Sequence, residues 1–501
     1  MMSKMTREEM VETVPQHGFF GHPRGLGILF FVEFWERFSY YGMRAILLYY
    51  LYFSVSQGGL GLDKITAQQI MAMYGSLIFM TGILGGWVAD RLIGSRRSLM
   101  YGAVLIMLGH LVLSLPFGLS AFLISMILII VGSGLMKPNI SNVVGGLYHK
   151  NDNRLDAGFV IFYMSVNMGA LLSPLIIDKV RVSVGFHQGF SIAAFGMLLA
   201  LIAYVLFQRK SLGEVENHPS NPLNHKEKVK YAKIFTYSTI GIIILLGILY
   251  LVGQLTFNSI SLIVLIVGIV VPFIYWSIMY RSPDIDGTEK SRLLAYVPLF
   301  LASVLFWSIQ EQGSNVLGVF AQEHTQLDLN AYGINFVIPA GWFQSINPFF
   351  IVIFAPVISF LWQKLGKYNP STPLKFVIGL AFAGISFIAM MIAMSMQQAE
   401  LMNPIWLILS FFLCVIGELC LSPTGSSVSV KLAPKAFSAQ MLSLWFLTNA
   451  TAQGINGQLV KLIEPLGQQN YFGLIGAIAI VVSLIVLSMT PKIKKLMQGI
   501  H

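Results

Sequence analysis

The chain has 501 residues, 55% of them hydrophobic and only 11% charged, with a formal net charge of +10 and two cysteines. A soluble domain carries roughly 25% charged residues, so composition excludes a water-soluble class and implies an all-α polytopic membrane protein. The positive balance does not point to nucleic acid, because no basic patch is interleaved with aromatics; it is read as a topology signal.

Apolar segments fall at about 26–54, 67–92, 98–115, 119–146, 155–178, 188–208, 234–254, 258–280, 293–321, 338–364, 374–396, 403–430, 437–462 and 470–490. They predict fourteen spans of the length a bilayer requires, about 20 residues each. Residues 1–25 hold Glu8, Glu9 and Glu12 and no apolar core, so no cleavable signal peptide is expected and the first span is retained. Starting the N-terminus in the cytoplasm places 25 of the 32 Lys and Arg inside. Only Lys64, Lys179, Arg181 and Lys461 fall outside, and Arg37, Arg44 and Lys137 lie within spans. That asymmetry predicts both termini in the cytoplasm. Cys414 and Cys420 are six apart in one predicted helix. Six residues rise about 9 Å, too far for a bridge.

The first span contains "VEFWERFSYYGMR", residues 32–44, with Glu33, Glu36, Arg37 and Arg44 between lipid-soluble flanks. Each charge near the centre of such a helix costs about 2.5–3.5 kcal/mol on insertion scales. At about 100° per residue, Arg37, Tyr40 and Arg44 lie roughly 40°, −20° and 20° from Glu33, with Glu36 near −60°, so all share one face. That face must point into protein or water. The second span ends in "ADRLIGSRR", with Asp90, Arg91, Arg96 and Arg97. His110, on the third span, is assigned a structural role. Further charges follow on the fourth span (Lys137), the ninth (Glu311 in "FWSIQEQGSN") and the twelfth (Glu418 in "IGELCLSP"). A static salt-bridge network is the bland alternative for these seven charges. Buried ion pairs are poor glue, since desolvation roughly cancels attraction, whereas intramembrane ionisable residues mark ion or substrate paths.

Spans seven and eight carry no ionisable side chain in their cores and follow the polar linker "GEVENHPSNPLNHKEKVK". They read as an inserted hairpin, at about 234–254 and 258–280, within a central region 209–292. It separates two six-helix bundles, 26–208 and 293–490, flanked by cytoplasmic segments 1–25 and 491–501. A faint repeat supports the halves: "GSGLMKPNIS" (132–141) aligns with "GELCLSPTGS" (417–426), Gly132 on Gly417 and Pro138 on Pro423. Two such halves with broken helices near the midplane form a transporter plan.

"EFWERFSYYG" (33–42), "GGWVADRLIGSRR" (85–97), "FYMSVNMG" (162–169), "FWSIQEQGS" (306–314) and "GELCLSPTG" (417–425) occur in that order. Together they resemble the motifs of the proton-dependent oligopeptide transporters of the major facilitator superfamily. The resemblance covers the whole chain, including a hairpin typical of bacterial members. It implies symport of di- and tripeptides with protons by alternating access, with peptidomimetic drugs as a further cargo class. It implies that Glu33, Glu36, Arg37 and Glu311 couple protons. Arg44 and Lys137 face the peptide carboxylate, with Glu311 pairing with one or the other. Asn167, Asn347 and Glu418 surround the peptide amino terminus, and Tyr40, Tyr41, Tyr74 and Trp445 line side-chain pockets. Gln310 and Ser422, inside the matching motifs, join the peptide-binding set. Asp90, Arg91, Arg96 and Arg97 look like the superfamily's cytoplasmic latch. One departure is the missing histidine of animal members: none lies between Thr66 and Leu92, so proton work falls to carboxylates. No metal, cofactor or nucleic acid is expected; the remaining partner is the lipid bilayer of a bacterial plasma membrane, with a functional monomer.

The physics agrees independently. A peptide's constant features are its ends and backbone, so a promiscuous site should fix the ends with opposite charges and offer aromatic walls. One rival keeps the fold and carries nitrate, a drug or another small solute, but relatives of that kind often alter the first-span element, intact here. A channel should show a continuous polar pore instead of charges clustered at one depth. An enzyme would need a nucleophile–base pair, a metal cluster or a phosphate loop, and none is visible.

Overall fold

The computed structural model describes residues 5–149, 151–396 and 401–500. Among them fourteen helices of nineteen residues or more account for the fourteen predicted spans, and no strand occurs. They are α1 (Arg24–Tyr52), α2 (Lys64–Val88), α3 (Ser95–Leu113), α4 (Gly118–Gly146), α5 (Leu155–Ser183), α6 (Phe186–Ser211) and α7 (His225–Leu251). The series continues with α8 (Phe257–Arg281), α9 (Gly287–Glu311), α10 (Ile346–Leu365), α11 (Thr372–Ser395), α12 (Pro404–Lys431), α13 (Ser438–Leu459) and α14 (Gln468–Leu496). A helix is the form that satisfies its own backbone where water is absent, which is why uninterrupted apolar runs take no other shape. Twelve described segments are long and apolar enough to cross a membrane; α1 and α13 are as long but too polar for that measure.

Helix ends follow local chemistry. Asn224 caps α7 and Asp286 caps α9, each closing a capping box with Glu227 and Glu289 respectively. Two spans break where the sequence motifs lie. After α2 the chain makes a π-helical turn over Ala89–Ile93, a geometry common at functional sites, and stops at Gly94 with φ 86°. Directly after Glu311, α9 gives way to a 3₁₀ turn, Gln312–Ser314, before a short helix Val316–Glu323.

The chain forms two compact units: Met1–Tyr40, Met80–Gly169 and His187–Ile263 in one; Tyr41–Phe79, Ala170–Phe186 and Val264–His501 in the other. The core of the first is built from Leu26, Leu29 and Val32 of α1, Leu99 and Ile106 of α3, Met136 and Val143 of α4, and Met197 and Tyr204 of α6. In the second, the C-terminal part of α1 is tied down by Tyr49, whose hydroxyl donates to the Gly318 carbonyl at 3.1 Å. No residue of α7 is buried. Its partner α8 docks on α13, where Gly454 lies against the Leu265 backbone and the Thr451 hydroxyl donates to the Gly268 carbonyl at 2.6 Å.

Lipid tails compete for apolar surface as well as side chains do, so close packing by small residues holds such helices together. Here the repeat read from sequence has a structural counterpart. A Cβ on Gly132 of α4 would lie 2.8 Å from the Gly102 carbonyl of α3, and one on Gly417 of α12 would lie 2.6 Å from the Gly379 carbonyl of α11. Each unit therefore contains a backbone-to-backbone contact at the same repeat position. Gly132→Val and Gly417→Val should each cost at least about 1–3 kcal/mol through overpacking against backbone. Thermal melts of the purified protein would read this as a lowered Tm, with Gly145→Ala, where the nearest atom is 3.7 Å away, as the neutral control.

Candidate functional site

The charged face of α1 divides between the two units. In the first, the Arg37 Nε lies 2.7 Å from a Glu33 carboxylate oxygen and 2.6 Å from one of Glu36. The three residues are 7%, 4% and 0% exposed, so two acids share one base almost out of contact with solvent. The spacing i, i+4 puts Glu33 and Arg37 on one face. Glu33 Oε2 and both Glu36 carboxylate oxygens are buried without a hydrogen-bond partner. Tyr40, one turn on, presents its ring to Lys137 at 4.2 Å and to the Arg37 guanidinium at 5.8 Å. A cation over an aromatic face is favoured in a desolvated setting.

In the second unit, Arg44 pairs with Glu311 at 2.5 Å, each side chain about nine-tenths buried. Of the two partners expected for Glu311, the structure supplies Arg44. Glu311 also accepts from Asn449 at 3.0 Å and from Gln453 at 2.6 Å. The break after Glu311 is closed by side chains: Gln344 donates to the Gly313 carbonyl at 2.8 Å, and Tyr471 donates to the Gln312 amide oxygen at 2.8 Å. Asn456 donates to the Ser308 carbonyl at 2.9 Å. Irregular backbone at membrane depth requires such partners.

Next to Glu311 in sequence, Gln310 turns the other way and donates to Glu418 at 2.6 Å; Asn347 reaches the same oxygen at 3.4 Å. Among the described residues Glu418 forms no ion pair, so its carboxylate is met by neutral amides alone. Adjacent residues at the end of α9 thus serve two carboxylates of opposite circumstance. One is charge-paired and the other is not.

A family profile described as the POT family matches residues 96–490. The chain belongs to the POT family. It is 52% identical over 502 residues to an uncharacterized transporter of Bacillus subtilis (strain 168), covering all of both chains. A di-/tripeptide transporter of Lactococcus lactis subsp. lactis (strain IL1403) is 44% identical, with 96% of this chain and 98% of the relative covered. A crystal structure of a POT family transporter in complex with 5-aminolevulinic acid is 55% identical with a TM-score of 0.94, covering 97% of this chain and 99% of that one. The fold is that of the major facilitator superfamily, and the protein is a transporter, not an enzyme.

The other residues named for this transporter fall as follows. Tyr74 and Trp445 are buried, the indole pressed so closely on Gly425 that no side chain could replace that hydrogen. Tyr41 and Ser422 are half-buried, and Asn167 is likewise half-buried and donates to the Tyr163 carbonyl of its own helix at 3.1 Å. At the end of α2 and start of α3, Arg91 pairs with Glu227 at 2.7 Å, Arg96 donates to the Gly213 carbonyl at 2.5 Å, and the Ser220 hydroxyl reaches Asp90 at 3.3 Å. These partners all belong to the linker and first turn of α7. Ser95, the first residue of α3, donates to Glu216 of the same linker at 2.9 Å, while burial raises the Glu216 carboxyl above its usual range. Arg97 is exposed. His110 is buried with both ring nitrogens unpartnered. Cys414 and Cys420 are free thiols.

Sequence reading missed Asn449 and Gln453. The available signal was their i, i+4 spacing, continued by Asn456 at i+7, a polar stripe on a span that is conspicuously less apolar than its neighbours. Removing one member of a buried pair leaves the other uncompensated, at a cost of about 3–5 kcal/mol. Arg44→Ala should therefore lower the Tm markedly, and adding Glu311→Gln should recover most of the loss; melts of the two single variants and the double variant check this.

Proposed function

We propose that this transporter imports di- and tripeptides together with protons by alternating access, across a bacterial plasma membrane with both termini cytoplasmic and as a monomer. The observation that carries the reading is the arrangement around Gln310 and Glu311. It offers a cation, Arg44, whose present partner a peptide carboxylate can replace, and a carboxylate, Glu418, with neutral partners that leave it ready for an ammonium group. A zwitterion fits these demands whatever its side chains. The di-/tripeptide transporter among the relatives supports the substrate class. So does the bound 5-aminolevulinic acid of the related structure, a molecule with an ammonium and a carboxylate at its two ends.

In this reading Lys137 shares the peptide carboxylate with Arg44, while Asn167 and Asn347 accompany Glu418. Tyr40, Tyr41, Tyr74 and Trp445 offer apolar contact, and Gln310 and Ser422 add polar contacts. Asp90, Arg91, Arg96 and Arg97 act as the cytoplasmic latch. Glu33, Glu36 and Arg37 carry the proton. Two carboxylates around one guanidinium leave a net negative charge in low dielectric, and three of their four oxygens have no hydrogen-bond partner. A proton on either acid removes that charge. Arrival of a proton at Glu311 likewise frees Arg44 for substrate. The pair's attraction, about 4 kcal/mol at 4 Å and effective dielectric 20, is largely offset by desolvation, so it can break within a cycle. Proton and peptide then act on the same contact, and coupling requires each to favour one access state over the other.

Labelled dipeptide uptake into proteoliposomes, with and without a proton gradient, tests the reading. Accumulation should require the gradient; equal uptake without it would remove proton coupling, and no peptide uptake at all would remove the substrate class. Glu33→Gln and Glu36→Gln should abolish gradient-driven accumulation and spare peptide counterflow, which needs no net proton movement. If either variant still concentrates peptide, that residue does not couple. Lys137→Ala should weaken binding of a dipeptide far more than of its carboxy-amidated analogue. Equal losses would assign the carboxylate to Arg44 alone.

A further inference from the structure

A cavity of about 710 Å³ lies among α10, α11, α12 and α14, at the membrane face where α10, α12 and α14 end and α11 begins. Lys375 of α11, Lys431 of α12 and Lys494 of α14 line it, and no carboxylate does. None of the three forms an ion pair among the described residues. The Lys375 ammonium stands 4.8 Å from the centre of the Trp362 ring, which also lines the cavity. Ser371 occupies the N-cap of α11 but makes no cap hydrogen bond, and its hydroxyl is buried without a partner. The positive end of the α11 dipole adds to the three ammonium charges. Cationic residues are expected on a cytoplasmic face without any pocket. Lys364, Lys367 and Lys492 are such residues, near in sequence yet absent from this cavity. What distinguishes the site is concavity, three unpaired cations from three helices and an idle hydroxyl.

We propose that this cavity binds a phosphate-bearing anion and that its occupant is the headgroup of an anionic phospholipid. Basic pockets between helices recognise such headgroups. The flank favours lipid over a soluble anion. Deeper in the helices than the three lysines, the cavity wall is apolar, with Ala355 and Ile358 of α10 and Leu419 of α12, a surface on which acyl chains can lie. Trp362 then sits at the level where an indole suits the boundary between chains and headgroups.

The test uses the full-length transporter in detergent containing equal parts of phosphatidylglycerol and phosphatidylcholine, read by native mass spectrometry. The wild type should retain phosphatidylglycerol selectively. Replacing Lys375, Lys431 and Lys494 by Gln should weaken that retention about a hundredfold, at about 1 kcal/mol per lysine. The corresponding Lys→Arg variant should keep it. Replacing Lys226, Lys228 and Lys230 of α7 by Gln removes the same charge elsewhere and should change nothing. If the triple Gln variant does not fold, Lys494→Gln alone, exposed near the end of α14, should still weaken retention about fivefold. Equal loss in the cavity and α7 variants would overturn the site in favour of face-wide charge. Binding of inorganic phosphate by calorimetry, lost in the cavity variant while lipid retention shows no preference, would overturn the lipid assignment and leave a soluble anion as occupant.

Discussion

A charge placed inside an apolar helix must be met by another group, and much of this protein follows from that constraint. The first helix carries four such charges, and the structure answers them in two different ways. Glu33, Glu36 and Arg37 meet within a single helix, with the Lys137 ammonium of α4 acting on Glu33 as well. Arg44 is answered from far along the chain by Glu311. That second solution draws in further elements, because Glu311 ends a helix and the broken backbone after it needs partners. Asn449, Gln453 and Asn456 on α13 supply hydrogen bonds to Glu311 and Ser308, and Tyr471 on α14 supplies one to Gln312. A span too polar to look like a confident membrane helix is thereby explained: its polarity serves a neighbour's charge.

The charges stand on a stiff frame. Gly132 lies five residues before Lys137 on α4, and Gly417 immediately precedes Glu418 on α12; both glycines make near-contact with backbone of the preceding helix. Pro138, next to Lys137, removes a helical N–H, so the Gly134 carbonyl loses its donor. That carbonyl faces Gly85 of α2 so closely that only glycine fits. Side chains next to such contacts have little freedom to shift. The ion pairs are individually near balance between Coulomb attraction and desolvation.

The fourteen spans were legible because hydropathy over some 20 residues is a strong, local signal, and the structure supplies a long helix for every one. The first-span charges were equally legible, since insertion cost makes any buried charge conspicuous. The Gly132 and Gly417 repeat could be read as well, though its meaning as helix contact could not. Less visible were Asn449 and Gln453: neutral amides cost far less in lipid than ions do, so they stand out weakly. The break after Glu311 was hidden because its only local mark is Gly313 amid polar residues that suit a helix equally well.

Sequence by itself therefore determined that the chain is a membrane-embedded bundle of helices, where each helix lies, and which residues are too expensive to be there without purpose. These follow from free energies of transfer that each segment feels alone. Tertiary structure decided the pairings. It joined Arg44 to Glu311, gave Glu418 neutral partners, and drew Tyr41–Phe79 and Ala170–Phe186 into one compact unit with Val264–His501. The choice among several opposite charges of similar cost depends on distances and shielding that arise only when helices far apart in the chain pack together.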